Sequence, residues 1–493
     1  MHLAAVGMLE TYEIWHRHGE KVGAPPPPIV QDEPEPDDFV HNMLNDIFPI
    51  FEQAEDDDMS MGDDTSEMGD AMENQGANVH RLQADTYEGL LAEANREFFP
   101  GCDQHSALTA MIKLMHCKVD NHWSNKSFTT LMETLYAFCP KPNNIPKSFD
   151  EAKKMLKKLG LGYEKIDVCQ NDCVLFYKGN ATKVKCPECG ADRYKPSPSS
   201  EDGKKGKNIP HKVLRYFPLK PRLERLFMSR HIATEMRWHK RKRADQNGVM
   251  RHPADSIAWK EFDKMYPDFA MDPRNVRLGL ATDGFTPFGN LNPPYSMWPV
   301  MVFPYNLPPW MCMKKPYTFL TLLIPGPTAP GKDLDVFLRP LIDELKELWE
   351  TGVRTYDKST DSVFDMKAAV LWTVNDFPAY GNLSGWSTKG YLAWPVCNAD
   401  ACSYKLRRKI GYLATRRWLR KNHPWRKQKE LFNNEEEKRS APKHLSDEDI
   451  LRQVNTLRPS KPGKHKDNPD LKRKRMESEL NWTKKSIFFE LEY

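Results

Sequence analysis

Between Asn275 and Trp394 the chain lays down apolar segments in an order that few folds can accommodate. Val276, Leu278 and Leu280 alternate and lead into Thr282-Asp283-Gly284-Phe285, the pattern of a strand that ends on an acidic residue and a turn. Trp298 to Pro304 and Thr318 to Ile324 read as two more strands. After the break from Pro325 to Pro330, Asp333 is placed to cap a helix whose Val336, Leu338, Leu341, Leu345 and Leu348 trace one apolar face as far as Trp349. Ala368, Ala369, Val370, Leu371 and Trp372 then make a strand of the buried type, running into Val374-Asn375-Asp376-Phe377-Pro378.

Strand, strand, strand, helix, strand is the order of the ribonuclease H-like fold, in which the first and fourth strands lie side by side. Both of those predicted strands end in an aspartate. The pairing therefore brings Asp283 and Asp376 close together, where like charges are costly unless a cation neutralises them. Magnesium suits that task, since it takes oxygen ligands, keeps several waters and, in two-metal sites, clamps the attacking and leaving oxygens of a phosphoryl transfer. The competing reading is that Asp283 opens an ordinary Asp-Gly turn and Asp376 merely caps a strand.

A second constellation lies upstream. Cys169, Cys173, Cys186 and Cys189 are spaced as Cys-x3-Cys and Cys-x2-Cys, and Cys186-Pro187-Glu188-Cys189-Gly190 has the small residues of a zinc knuckle. Two close pairs joined by a hairpin supply four thiolates for tetrahedral zinc, with Val174 to Tyr177 and Thr182 to Val184 as the expected strands. A closed four-thiolate site leaves no position for water, so its role is structural. The alternative is four unrelated buried thiols.

Charge is unevenly distributed. From Val22 to His80 there is no Lys or Arg, and from Ser403 to Lys429 no Asp or Glu, although the net charge of the 493 residues is only +4. The acidic, Pro-rich head is expected to be disordered linker, with the island Phe39 to Phe51 either a transient partner-binding helix or simply solvated. From about Gln83 to Leu161 the spacing of Leu90, Leu91, Ala94, Leu108, Ile112, Met115, Phe128, Leu131, Leu135 and Phe138 predicts helices. A basic helical stretch is expected from Val213 to Arg243. Within it, Arg237 and the run Lys240-Arg241-Lys242-Arg243 are candidate phosphate contacts, as are Arg407, Arg408, Lys409, Arg416 and Arg417 in the basic tail; a solvated helix face is the other reading. Lys472-Arg473-Lys474-Arg475 is a candidate nuclear import run or plain surface. No run of about 18 apolar residues occurs, so no membrane span is expected, and the ten cysteines are expected to be free, metal-bound or catalytic rather than disulfide-paired in a reducing compartment.

Several long phrases carry a family resemblance. His252-Pro253-Ala254-Asp255-Ser256 with Ala258-Trp259-Lys260, Asp272-Pro273-Arg274-Asn275-Val276-Arg277-Leu278-Gly279-Leu280, Thr282-Asp283-Gly284-Phe285, and Asn375-Asp376-Phe377-Pro378-Ala379-Tyr380-Gly381-Asn382-Leu383-Ser384-Gly385-Trp386 closely resemble transposases of the plant CACTA (En/Spm-like) DNA-transposon family. Tyr12-Glu13-Ile14-Trp15 with His18-Gly19-Glu20 resembles the end of that family's N-terminal domain. The resemblance implies a DDE-type enzyme in which two aspartates and a later glutamate hold Mg or Mn, free a 3′-hydroxyl at the element's ends and join it to target DNA. Asp283 and Asp376 match the two aspartates. The third acid is implied to lie beyond Asn481 to Glu490, and the chain stops at Tyr493, so a catalytically incomplete core is expected and Glu490 is not the missing acid. The resemblance also implies a Cys-x2-Cys pair and two histidines at positions that read Trp394, Cys397, Thr415 and His423, a degenerate site that Cys402 could only partly repair.

The expected organisation is a mixed α+β, α/β multidomain chain. It comprises a domain remnant at 1–22, an acidic disordered linker at 23–82, a helical domain at 83–162 and a zinc-ribbon-like module at 163–198. A basic helical connector at 199–270, a partial ribonuclease H-like core at 271–395 and a basic, partly disordered insertion at 396–493 follow. The expected function is that of a transposase-derived, nuclear DNA-binding protein. Its expected partners are the transposon terminal repeats and a full-length transposase or a second copy of itself. The alternatives are a chromatin-associated module with the core as scaffold, or a nuclease completed by a partner chain.

Overall fold

A computed structural model describes residues 96–102, 106–156, 162–196, 208–244, 249–286, 295–412, 414–432, 434–458, 460–468 and 480–493. The expectations for 1–82, including the Phe39 to Phe51 island, and for Lys472-Arg473-Lys474-Arg475 fall outside these residues.

Three helices open the described part: α1 Ala107–Asp120, α2 Asn125–Phe138 and α3 Phe149–Leu156. Met111, Ile112, Met115, Phe128, Met132, Ala152 and Leu156 meet in their shared core. Ser124 starts α2 by accepting a hydrogen bond from the Ser127 amide at 3.0 Å, which satisfies one of the amide groups a helix start leaves over. Phe138, expected on the apolar face, is instead 83% exposed at the last turn.

The centre of the protein is a six-stranded sheet. Its strands are β1 Glu164–Val168, β2 Lys212–Tyr216, β3 Val276–Thr282, β4 Trp298–Pro304, β5 Phe319–Ile324 and, after the hairpin β6 Val353–Asp357 and β7 Ser362–Met366, β8 Ala368–Val374. The spatial order is β1-β2-β5-β4-β3-β8. β3 runs antiparallel to β4 and parallel to β8, so the first and last strands of the predicted set are neighbours. A parallel pair needs a crossover, and the helix Leu334–Glu350 supplies it by laying Leu334, Phe337, Leu338, Leu341, Ile342, Leu345 and Leu348 on the sheet.

Four differences from the sequence reading have physical causes. The stretch from Val213 begins as strand β2 because Leu214 and Tyr216 alternate onto the core face and Arg215 pairs with Leu323 of β5. Helices α4 Lys220–Met228, α5 Arg230–Glu235 and α6 Trp238–Arg241 follow it, and α7 Ile257–Met265 with α8 Pro267–Met271 leads into β3. The β6–β7 hairpin was not expected; its turn places Asp361 at φ 48°, and it buries Phe364 and Met366. Asp333 does not cap the crossover helix, here α9, with its side chain; its Oδ1 accepts from the amide of Gly463 at 3.0 Å. Finally, 480–493 is not a loose tail but returns to the core, where Ile487 is buried and the Val370 amide of edge strand β8 donates to the Tyr493 hydroxyl at 3.0 Å.

Gly279 explains how aromatic residues reach the sheet beside β3. A methyl group there would lie 2.3 Å from the Phe303 ring and 2.6 Å from Tyr305, so only glycine lets those rings pack against the strand. Trp259, stacked on Trp372 at 6.2 Å, completes that layer. Among the described residues no helix is long and apolar enough to cross a membrane.

Candidate functional site

Cys169, Cys173, Cys186 and Cys189 form the one group of three or more potential metal ligands among the described residues, with their sulfurs all within 4.8 Å of one another. Cys169 and Cys189 approach to 3.6 Å. A tetrahedron of thiolates about 2.3 Å from a zinc ion has edges of roughly 3.8 Å, so the cage has the size of a zinc site. The cluster could hold a metal such as zinc, and a closed set of sulfurs gives it no open coordination position. The expected strands are absent: Leu175 makes only an isolated bridge to Val168, and Lys185 one to Asp192. Two tight turns do the work instead, with Gly190 at φ 71° in the second.

Hydrogen bonds reach two of the sulfurs. The amide of Asn171 donates to Cys169 at 3.4 Å and its side-chain amide to Cys189 at 3.4 Å. Hydrogen bonding, first from the Cys173 thiol, holds Cys169 down at about 5, while burial pushes Cys186 up to about 12. Buried Asp172 fixes the cluster in the fold by pairing with Lys212 of β2 at 2.6 Å and with Lys464 at 2.8 Å. Next to Lys464, Gly463 sits at φ 109° directly against Cys173.

Asp283 and Asp376 follow the ends of β3 and β8. The ladder pairs Ala281 with Val374, so continuing it by two residues sets Asp283 opposite Asp376 on strands about 4.8 Å apart. Asn375 closes the gap between the strand ends. With its amide nitrogen facing the carbonyls, it donates to Thr282 and Val374, each at 3.1 Å. Both aspartates are exposed. Each also makes a local backbone bond of the kind the alternative reading invoked: the Gly284 amide donates to Asp283 at 2.6 Å, and the Ala379 amide donates to Asp376 at 2.7 Å, capping helix α10 Phe377–Ser384. In both cases the bond uses Oδ1 and leaves the second oxygen available. Two such oxygens suit one magnesium ion that keeps most of its waters. Among the described residues no third His, Cys, Asp or Glu joins them, so they do not make a two-metal clamp. Glu490 is occupied elsewhere; Arg339 and Lys346 hold its carboxylate down at about 2.

At the degenerate positions no group of three ligands forms among the described residues. Trp394 is exposed; His423 uses Nδ1 to accept from the Trp425 amide at 3.1 Å as the cap of helix α11 Pro424–Lys427; and Cys402 receives hydrogen bonds from Arg439 at 2.6 Å and Arg417 at 3.8 Å. Cys397 and His423 are in no ligand group among the described residues, and the Thr415 side chain lies outside them. Arginines knit this region together. Arg416 donates to the carbonyls of Gln428 at 2.6 Å and Glu435 at 3.0 Å, and Arg426 to those of Arg416 at 2.9 Å and Arg417 at 3.1 Å.

Three of the candidate phosphate contacts are corrected by burial. Arg237 points inward to Asp357, Arg416 is spent on carbonyls, and Arg417 binds Asp400 at 2.5 Å and the carbonyl of Ser440 at 2.8 Å. Arg243 is paired with Asp255 and Lys242 with Glu235. Lys240 and Arg241 remain at the surface, as do Arg407, Arg408 and Lys409 at the tip of the hairpin β9 Tyr404–Lys405 and β10 Ile410–Gly411. Arg420, Lys421, Lys427 and Lys429 are exposed as well; only their neighbourhood in a stretch free of acids hinted at them.

The described residues thus define a mixed α+β protein with a buried four-cysteine cluster and a pair of aspartates at adjacent strand ends. Residues 247–457, which contain both aspartates, match the model of transposase family tnp2, and the match supports a transposase family for this chain. Comparison with curated proteins gives no match.

Proposed function

We propose that this chain is a DNA-binding protein of transposase descent, of the CACTA (En/Spm-like) plant type, built on a ribonuclease H-like core. It acts in the nucleus on the terminal repeats of its element, together with a second copy or a full-length transposase. The observation that supports this most is the parallel β3–β8 ladder, which brings Asp283 and Asp376 to neighbouring strand ends inside the segment that matches the transposase model. A magnesium or manganese ion held there would offset phosphate charge.

The chain's own residues have separate tasks in this reading. Asp283 and Asp376 offer one oxygen each, positioned by their backbone bonds and by Asn375. The hairpin tip Arg407, Arg408 and Lys409 neutralises phosphates, releasing counterions without reading sequence. Asp172, within the cysteine cluster, ties it to β2 through Lys212 and to the 460–468 segment through Lys464. Without a third acid among the described residues, the pair orients a phosphate but does not complete in-line displacement.

The test incubates the purified chain with element-end duplex and magnesium or manganese, beside Asp283→Ala and Asp376→Ala variants. Binding that weakens steeply with salt, with no cleavage, is the expected result. Cleavage that needs both aspartates would replace this reading with that of a nuclease completed by a second chain, and no binding at low salt would remove the DNA reading altogether.

A further inference from the structure

We propose that Phe377 and Trp394 form a stacking platform for an unpaired base of the DNA strand that crosses Asp283 and Asp376. The inference rests on the DNA-binding reading and adds to it the form of substrate the site accepts.

Phe377 is the first residue of α10, immediately after the capping residue Asp376, so its ring emerges one position from the carboxylate. It is 38% exposed, and its ring lies 5.8 Å from that of Trp394, which is 46% exposed. The backbone that carries Trp394 is held from below. Buried Trp386 donates to the Ala393 carbonyl at 3.2 Å, Ala393 is itself buried, and the Asn398 amide donates to the Trp394 carbonyl at 3.2 Å. The chain is therefore fixed while the indole stays in water. Two aromatic rings are thus held together, each partly exposed, beside the acidic pair, where an occupant could reach them.

The surroundings select the occupant. The Tyr412 hydroxyl donates to the Gly390 carbonyl at 2.5 Å, tying the hairpin that bears Arg407, Arg408 and Lys409 to the loop that leads into Trp394. Exposed Tyr391 lies on that loop. Cations for the phosphates combined with open aromatic faces for the bases are the requirements for binding a single strand. In a duplex the base faces are already stacked, so the platform acts only on an unpaired nucleotide, such as one in an overhang or a frayed end. An indole is no zinc ligand, and Trp394 is exposed enough for its face to meet a base.

The experiment uses the full chain and two probes, a blunt duplex and the same duplex with a single-stranded overhang carrying 2-aminopurine. The wild type should quench the 2-aminopurine on binding. Trp394→Ala and Trp394→Leu should abolish the quenching and weaken overhang binding by at least about fivefold, the lower end of what one stacked base contributes, while blunt-duplex affinity stays unchanged. Trp394→Phe should restore most of both. Because Leu keeps the apolar contact with Phe377 but has no aromatic face, it separates stacking from packing. Unchanged overhang affinity and quenching in Trp394→Leu overturn the platform and leave the pair as a protein contact. Absence of binding to either probe in the wild type at low salt overturns the DNA reading itself, and the platform with it.

Discussion

Replacing Arg237 by Gln and, separately, Arg407, Arg408 and Lys409 by Gln should split stability from DNA affinity. Arg237 is buried against Asp357, which is itself fully buried, and also donates to Ser359 at 2.6 Å and to the Ala233 carbonyl at 3.2 Å. Stranding one partner of such a pair commonly costs about 3–5 kcal/mol. Here Asp357 retains the Ser359 hydroxyl at 2.7 Å, the Ser359 amide at 3.0 Å and Arg274 at 3.6 Å, which reduces the loss. Roughly 2–4 kcal/mol remains, equivalent to a fall in Tm of about 4–16 °C for a cooperative unit of about 150–250 residues. Thermal unfolding followed by circular dichroism reads the fall, and salt titration of duplex binding at a temperature where both variants are folded reads the affinity. Arg237→Gln should leave the slope of log K against log salt unchanged. The triple variant should keep the wild-type Tm and flatten that slope by about two to three, since each phosphate contact contributes about 0.9. An Arg237→Gln protein with wild-type Tm and a flattened slope would refute the assignment, because it would place the guanidinium on DNA rather than on Asp357.

Other outcomes follow from the same structure. Metal analysis of the full chain should find about one zinc, lost in Cys186→Ser, and chelation should lower the unfolding temperature of the wild type only. Gly463→Ala forces a left-handed backbone on alanine and sets a methyl 2.5 Å from the Cys173 sulfur, so it should lower stability by roughly 2–4 kcal/mol in a melt and weaken zinc retention. Burial, with Arg277 adding to it, holds His239 down at about 3, against 6.5 when unfolded. The neutral form is therefore the native one: its stabilisation is complete above pH 6.5 and is lost as pH falls towards 3, up to roughly 5 kcal/mol. His239→Phe should flatten the acid limb of a stability-versus-pH curve, and an unchanged limb would show that His239 titrates freely.

The sequence by itself determined the parts whose signal is local. β3, β4, β5 and β8 and the crossover helix were legible because each carries an apolar face or an unbroken apolar run that the core buries. Two close pairs of cysteines announced the cluster, since ligand spacing is a property of short segments. The tertiary structure alone decided which charges are available. Arg416 and Arg417 look like Arg407 and Arg408 in the sequence, yet the first two are consumed by carbonyls 9 to 23 residues away, while the others project from a hairpin tip. Arg237 finds Asp357 across 120 residues, and Asp333 gives up its helix cap to meet Gly463 across 130. Lys212 to Tyr216 became a strand because β1 and β5 offered it hydrogen bonds on both sides. A side chain's periodicity is written in its neighbours along the chain, but its desolvation and its partner come from segments that meet only after folding, and that is where charged residues are sorted into structure or surface.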